Sequence, residues 1–215
     1  MNADPIAKIY RWLEYAAFGR TLERCRYSYL SRIRQARRVF ILGEGDGRFL
    51  QQLVTCNPGA GVDVVEASAA MIKLASARLP AGAKQQVVFH HQDFRTADLG
   101  SQRYDVAVAL FSLDCFSEPD AWAVIQKIES LLQPGGLLVV SEFRQPQRGW
   151  PALHARCWLW LMYLFFRFAS GLRASELPPY QLQLREAGLA LLEHRYWAAG
   201  MITAQLWQKP LAPLT

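Results

Sequence analysis

At 215 residues, 52% hydrophobic and 20% charged, the chain is too apolar to be disordered and too short for two full domains. Its net charge of +6 is confined to residues 1–38, where nine basic residues stand against three acids, so a uniformly basic nucleic-acid-coating protein is excluded. A basic N-terminal segment can meet RNA, an anionic membrane surface or an acidic substrate, or can simply be a solvated helix face.

In chain order, residues 5–17 predict a helix with Pro5 in its first turn. A second helix over roughly 20–35 places Leu22, Tyr29, Leu30 and Ile33 near one face. Asp4 and Pro5, without an apolar stretch behind them, argue against a secretory leader, and a cytoplasmic location is expected. The four apolar residues Val39–Leu42 then run into Gly43-Glu44-Gly45-Asp46-Gly47, and an apolar-spaced segment resumes at Arg48. This is a buried parallel strand, a tight turn and a helix start over 48–55. Glycine there allows positive φ and a close ligand approach, and the helix end offers free N–H groups. Arg48 stands where a dinucleotide fingerprint needs its third glycine, and the Gly-Lys-Ser/Thr of a Walker A loop is missing.

Gly61–Glu66 is a second strand ending in an acid 23 residues after Gly43, the position from which a carboxylate grips ribose hydroxyls. Ser68 is placed to cap a helix over 69–79. Residues 86–94 predict a third strand ending in Asp93-Phe94, and residues 104–112 a nearly continuous apolar fourth strand. A helix over 119–132 leads through Leu131-Leu132-Gln133-Pro134-Gly135-Gly136 into a fifth strand. Asp114, between the fourth strand and that helix, either faces a substrate or caps its loop. Residues 153–167 hold an uninterrupted ten-residue apolar run at Cys157–Phe166, half of what a membrane span needs. It reads as a buried cap helix, a lid over an apolar substrate, a dimer interface or a peripheral membrane contact. Leu177-Pro178-Pro179-Tyr180 opens a helix closed by Gly188, and Ala190–Trp197 and Met201–Gln208 form an antiparallel hairpin. Cys25, Cys56, Cys115 and Cys157 are scattered, and His90 and His91 point to opposite faces of a strand, so neither a disulfide frame nor a metal site is expected.

The glycine trio, the Glu66-Ala67-Ser68-Ala69-Ala70-Met71 stretch, Asp93-Phe94 and the Leu-x-Pro-Gly-Gly turn together resemble the class I (Rossmann-like) S-adenosylmethionine-dependent methyltransferases over about residues 39–208. The resemblance implies a single α/β domain with a doubly wound, mostly parallel seven-stranded sheet of order 3-2-1-4-5-7-6, its seventh strand antiparallel, with helices on both faces. Residues 1–38 would be a helical cap, 39–143 the cofactor-binding core, 144–176 an aromatic-rich lid insertion and 177–208 the last helix and hairpin. It implies S-adenosylmethionine as cofactor, S-adenosylhomocysteine as product and no metal. Gly43, Gly45 and Gly47 would approach the methionyl part, Glu66 and Ala67 the ribose, Met71, Asp93 and Phe94 the adenine, and Leu110 and Phe111 the reacting end. Tyr10 or Tyr15 would reach the amino-acid portion from the cap. The family's acid two residues before the first glycine is Ile41 here, and Glu44 or Asp46 would take its role toward the cofactor's ammonium group.

The activity so implied is methyl transfer to a small, apolar or aromatic acceptor, which needs alignment and water exclusion more than a base. No base is named beyond Asp114, and a homodimer is compatible with the apolar segment. Nucleic acid is not an expected partner, although an RNA methyltransferase using the basic segment remains the rival enzyme. The Asn/Asp-Pro-Pro-Tyr/Phe signature of adenine N6 enzymes is absent where Ala109–Ser112 stands. A non-catalytic S-adenosylmethionine-binding or scaffold protein is the rival outside enzymes.

Overall fold

The computed structural model describes residues 14, 15, 18–100, 103–144 and 177–211. Its centre is the strand β1 (Arg38–Leu42), whose Val39–Leu42 are all buried. A strand covered on both faces reads as a continuous apolar run, which is what residues 39–42 show. β1 pairs in parallel with β2 (Gly61–Glu66) on one side and β4 (Tyr104–Leu110) on the other, so Ile41 lies between Val64 and Val108. β3 (Val87–His91), β5 (Leu132–Phe143), β6 (Ala190–Trp197) and β7 (Ile202–Gln208) complete one sheet in the expected order 3-2-1-4-5-7-6. β7 runs antiparallel to both β5 and β6.

Strand alternation splits the core in two. Val39, Ile41, Val64, Val108 and Val139 face one way and pack with Phe49, Leu50 and Leu53 of α2 (Arg48–Cys56) and with Cys25, Tyr29 and Ile33. Phe40, Leu42, Val65, Ala107 and Val140 face the other way, against Ile125 and Ile128 of α4 (Glu118–Leu131) and Leu184 of α5 (Tyr180–Glu186). Both clusters meet along the sheet, which therefore has helices on both faces. Truncating a ring such as Phe49 would cost roughly 3–5 kcal/mol in lost burial and cavity formation.

Expectation and structure differ in three respects. The helix over 20–35 is broken into α1 (Thr21–Arg26) and a 3₁₀ turn at Leu30–Ile33. Tyr27, Ser28 and Tyr29 are weak helix formers, and the Ser28 hydroxyl donates back to the Arg24 carbonyl at 3.0 Å, competing with the helical ladder. Second, β5 starts at Leu132, earlier than expected, because the Pro134-Gly135-Gly136 turn is absorbed as an irregularity in its pairing with β4. Gly135 adopts φ +79°, and a Cβ on Gly136 would lie 2.8 Å from the Gln133 carbonyl oxygen, so the two glycines make that irregularity possible. Third, β3 ends at His91 and β4 at Leu110, each a few residues short of the expected end. The helix over residues 5–17, apart from Glu14 and Tyr15, and the apolar stretch 153–167 lie outside the described residues, as does Tyr10.

Candidate cofactor crevice

The order of the sheet reverses between β1 and β4, and the crevice beyond their carboxyl ends is where open α/β sheets bind ligands. The loop 43–47 forms its floor. The Gly43 N–H donates to the Val65 carbonyl at 2.9 Å, continuing the β1–β2 ladder by one step. Gly43, Gly45 and Gly47 have φ of +64°, +68° and +87°, each a left-handed conformation. A Cβ on Gly47 would lie 2.4 Å from Ala75 Cα of α3 (Ala69–Arg78), so that glycine serves helix packing. A Cβ on Gly45 would meet nothing within 4 Å. Gly45 is therefore the position that leaves the backbone open to a ligand.

Acids converge on this loop. One Glu66 oxygen accepts the Gly45 N–H at 3.1 Å and the other accepts the Ser68 N–H at 2.9 Å. Burial pushes the Glu66 carboxyl above its usual range, partly offset by those N–H groups. The Ser68 hydroxyl accepts the Met71 N–H at 3.1 Å, the cap its position predicts, while Ala67 is exposed and Met71 is buried against Ala70 and Leu74. Glu44 accepts the Leu50 N–H at 2.8 Å through one oxygen and so caps the first turn of α2. Its other oxygen is buried with no partner. Burial, aided by the nearby Asp46, pushes the Glu44 carboxyl up to about 8.

The structure places the remaining predicted residues unevenly. Asp93 is held by Arg95, whose Nη2 donates to it at 2.6 Å, and this keeps its carboxyl below the usual range. The Phe94 ring stacks on Phe40 with centroids 5.1 Å apart and its carbonyl accepts from Lys127 Nζ at 2.7 Å, which leaves its main-chain N–H for a ligand. Leu110 is buried at the end of β4. Phe111 follows at φ +55°, a strained conformation for a bulky residue, and its ring packs on Phe143 at 5.3 Å. Phe18 packs on the same Phe143 at 5.4 Å, giving an aromatic wall at this side of the crevice. Asp114 is buried in the 3₁₀ turn Leu113–Cys115, and burial pushes its carboxyl up to about 6. Tyr15 donates its hydroxyl to Glu23 at 3.0 Å within the N-terminal cap.

Sequence reasoning missed a buried ionic cluster above the loop. The Glu14 carboxylate accepts from both Arg26 and Arg48, and Arg48 Nε also donates to Asp46 at 2.9 Å. Arg78 reaches Asp46 at 3.1 Å, and the Arg26 guanidinium lies 5.3 Å over the Phe111 ring. Arg48, noticed only as an intruder in the glycine pattern, thus straps the loop to Glu14. A second omission is Glu142, fully buried at the end of β5. Among the described residues no group of three His, Cys, Asp or Glu side chains is placed to hold a metal.

A parallel crevice with a glycine loop tied to an acid on the neighbouring strand defines a Rossmann-like site for a ribose-bearing cofactor. Residues 39–136 match the methyltransferase domain family. The matched stretch and the sheet order are both those expected of a class I S-adenosylmethionine-dependent methyltransferase core. It is 29% identical over 111 residues to a demethylmenaquinone methyltransferase from Chlamydia pneumoniae, a match covering 52% of this chain and 46% of that one. A carboxy-S-adenosyl-L-methionine synthase from Aeromonas hydrophila is 32% identical over 151 residues, 62% of this chain and 58% of that one. The chain thus spans about half the length of the curated relatives it matches. In fold it resembles the N-methyltransferase NodS from Bradyrhizobium japonicum WM9, solved with S-adenosyl-L-homocysteine, at a TM-score of 0.64, 19% identity and 88% coverage of both chains.

Proposed function

We propose that the chain transfers a methyl group from S-adenosylmethionine to a small apolar or aromatic acceptor. The observation that carries this reading is the tie between Glu66 and the Gly45 N–H, which joins a ribose-gripping acid to an open glycine backbone. The residues fit the cofactor. The Glu66 carboxylate accepts the Gly45, Ser68 and Ala67 N–H groups, and its remaining acceptor site is available to a ribose hydroxyl. The unpartnered Glu44 oxygen suits the ammonium group that Ile41 cannot meet. Phe94 offers its main-chain N–H to the adenine, its carbonyl being held by Lys127, and Asp93 reaches the amino group only by sharing its carboxylate with Arg95.

When bound, S-adenosylmethionine supplies a methyl group already made electrophilic by its sulfonium. The chain's own work is then to bind, orient and exclude water. Phe18, Phe111 and Phe143 form an apolar face against which a flat acceptor can stack. The Chlamydia relative, named for demethylmenaquinone, is consistent with an aromatic acceptor. Asp114 is the one buried carboxyl of the loop after β4 and the candidate for receiving a proton from the acceptor. The RNA reading is weakened because several arginines of the basic segment are engaged, Arg26 with Glu14, Arg32 with Glu193 and Arg38 with Asp63. Among the described residues no helix is long and apolar enough to cross a membrane, and a cytoplasmic location belongs to the same proposal.

The test is incubation of the chain and a cell extract with methyl-labelled S-adenosylmethionine, followed by mass spectrometry of separated fractions. Label in one small apolar or aromatic compound is expected. Label only in RNA, or in nothing, would contradict the reading.

A further inference from the structure

β4 leaves its pairing with β5 at Leu110, opposite Ser141, and the Phe111 N–H still donates to the Ser141 carbonyl at 2.7 Å. At Phe111 the backbone turns left-handed, φ +55°, so the next N–H groups lose their strand partner. The Ser112 and Leu113 N–H groups instead donate to one oxygen of Glu142, at 2.9 and 2.7 Å. Glu142 is fully buried, and its second oxygen has no partner. Ser112 in turn packs against the glycine loop, since a Cβ on Gly43 would lie 3.2 Å from Ser112 Cβ. One side chain thus holds together the turn that aims Phe111 and the wall against which Gly43 rests.

We propose that Glu142 is a positioning residue for the cofactor site: its carboxyl takes the place of the missing strand and fixes the Phe111–Leu113 turn against the glycine loop. The proposal rests on the methyltransferase reading above. Glu142 acts through the two hydrogen bonds that one of its oxygens accepts. Burial and the neighbouring Asp114 carboxyl push its carboxyl well above the usual carboxylate range, against the lowering effect of the N–H groups. Glutamine reproduces the neutral acceptor at the same reach, whereas aspartate keeps the acid but withdraws it by one methylene.

The experiment is calorimetric titration with S-adenosylhomocysteine at pH 7 for wild type, Glu142→Gln and Glu142→Asp, each checked by circular dichroism to be folded at the assay temperature. Glu142→Gln is expected to bind within about threefold of wild type, and Glu142→Asp about tenfold more weakly, as loss of well-aimed hydrogen bonds predicts. A purely structural role would lower the melting temperature and leave the affinity of the folded protein unchanged, and that result overturns the proposal. So does a glutamine variant as weak as the aspartate one. Should the aspartate variant not fold, Glu142→Leu, which removes the acceptor while keeping similar bulk, is expected to weaken binding about tenfold. Unchanged affinity there overturns the proposal. Absence of binding by the wild-type chain is a separate result: it removes the cofactor reading and this proposal with it.

Discussion

The Glu66 carboxylate accepts the Gly45 N–H at 3.1 Å, so the acid at the end of β2 and the open glycine of the loop after β1 are parts of one structure. The same carboxylate takes the Ser68 N–H that leads into α3. One side chain therefore ties the loop conformation to the course of the next helix, which is why its register with Gly43 is legible at a distance of 23 residues.

The three glycines should separate by mutation. Gly47→Ala adds a Cβ 2.4 Å from backbone Ala75 Cα at φ +87° and is expected to cost more than about 3 kcal/mol, visible as a large fall in melting temperature. Gly45→Ala meets no atom within 4 Å and carries only the left-handed backbone cost of roughly 1–2 kcal/mol. Its methyl group enters the open space where the proposed cofactor site lies, so S-adenosylhomocysteine affinity should fall by about tenfold or more while the fold survives. Thermal melting and titration on both variants check this ordering, and equal melting losses would contradict it.

How much of this was legible follows from what each feature depends on. Parallel strands buried on both faces write themselves as apolar runs, so Val39–Leu42 and Gly61–Glu66 were readable, whereas the sheet order was legible only through the family resemblance. So was the Ser68 cap, which needs only a serine before an apolar-periodic segment. Arg48 could be seen to break the fingerprint, but its partner Glu14, shared with Arg26, lies 34 residues earlier, and no local pattern links them. Glu142 looked like the last residue of a strand. Its role depends on Phe111 turning left-handed in a different strand, which no propensity for phenylalanine predicts. Asp93 was recognisable as an acid after β3, yet its capture by Arg95 two residues on was not.

Glu44 should make stability fall with rising pH. Its folded carboxyl is pushed up to about 8, so the folded chain keeps a proton that the unfolded chain has released by about pH 5. The stabilisation is fully present below the unfolded carboxylate's usual range and is lost as the pH rises through about 8. Between those two limits each step of one pH removes up to about 1.4 kcal/mol. Melting curves between pH 5 and 8 should therefore decline more steeply for wild type than for Glu44→Gln, by several degrees over the window. Parallel curves would contradict the assignment.

Glu14 should matter far more than a surface acid. Glu14→Ala leaves Arg26 and Arg48 buried, with Asp46 as the remaining acid on Arg48, and removing one partner of such a cluster costs roughly 3–5 kcal/mol. The melting temperature should drop by about 10 °C, and calorimetry measures it directly. A change of a degree or less would mean that the cap is not strapped to the loop by these charges.

The most direct test of the cofactor site is titration calorimetry of wild type and Glu66→Ala with S-adenosylhomocysteine. Wild type should bind one equivalent, and Glu66→Ala should bind roughly a hundredfold more weakly, as loss of a charged acceptor for two hydroxyls predicts. No heat with wild type at high ligand concentration, or equal affinity in the two proteins, would contradict the account.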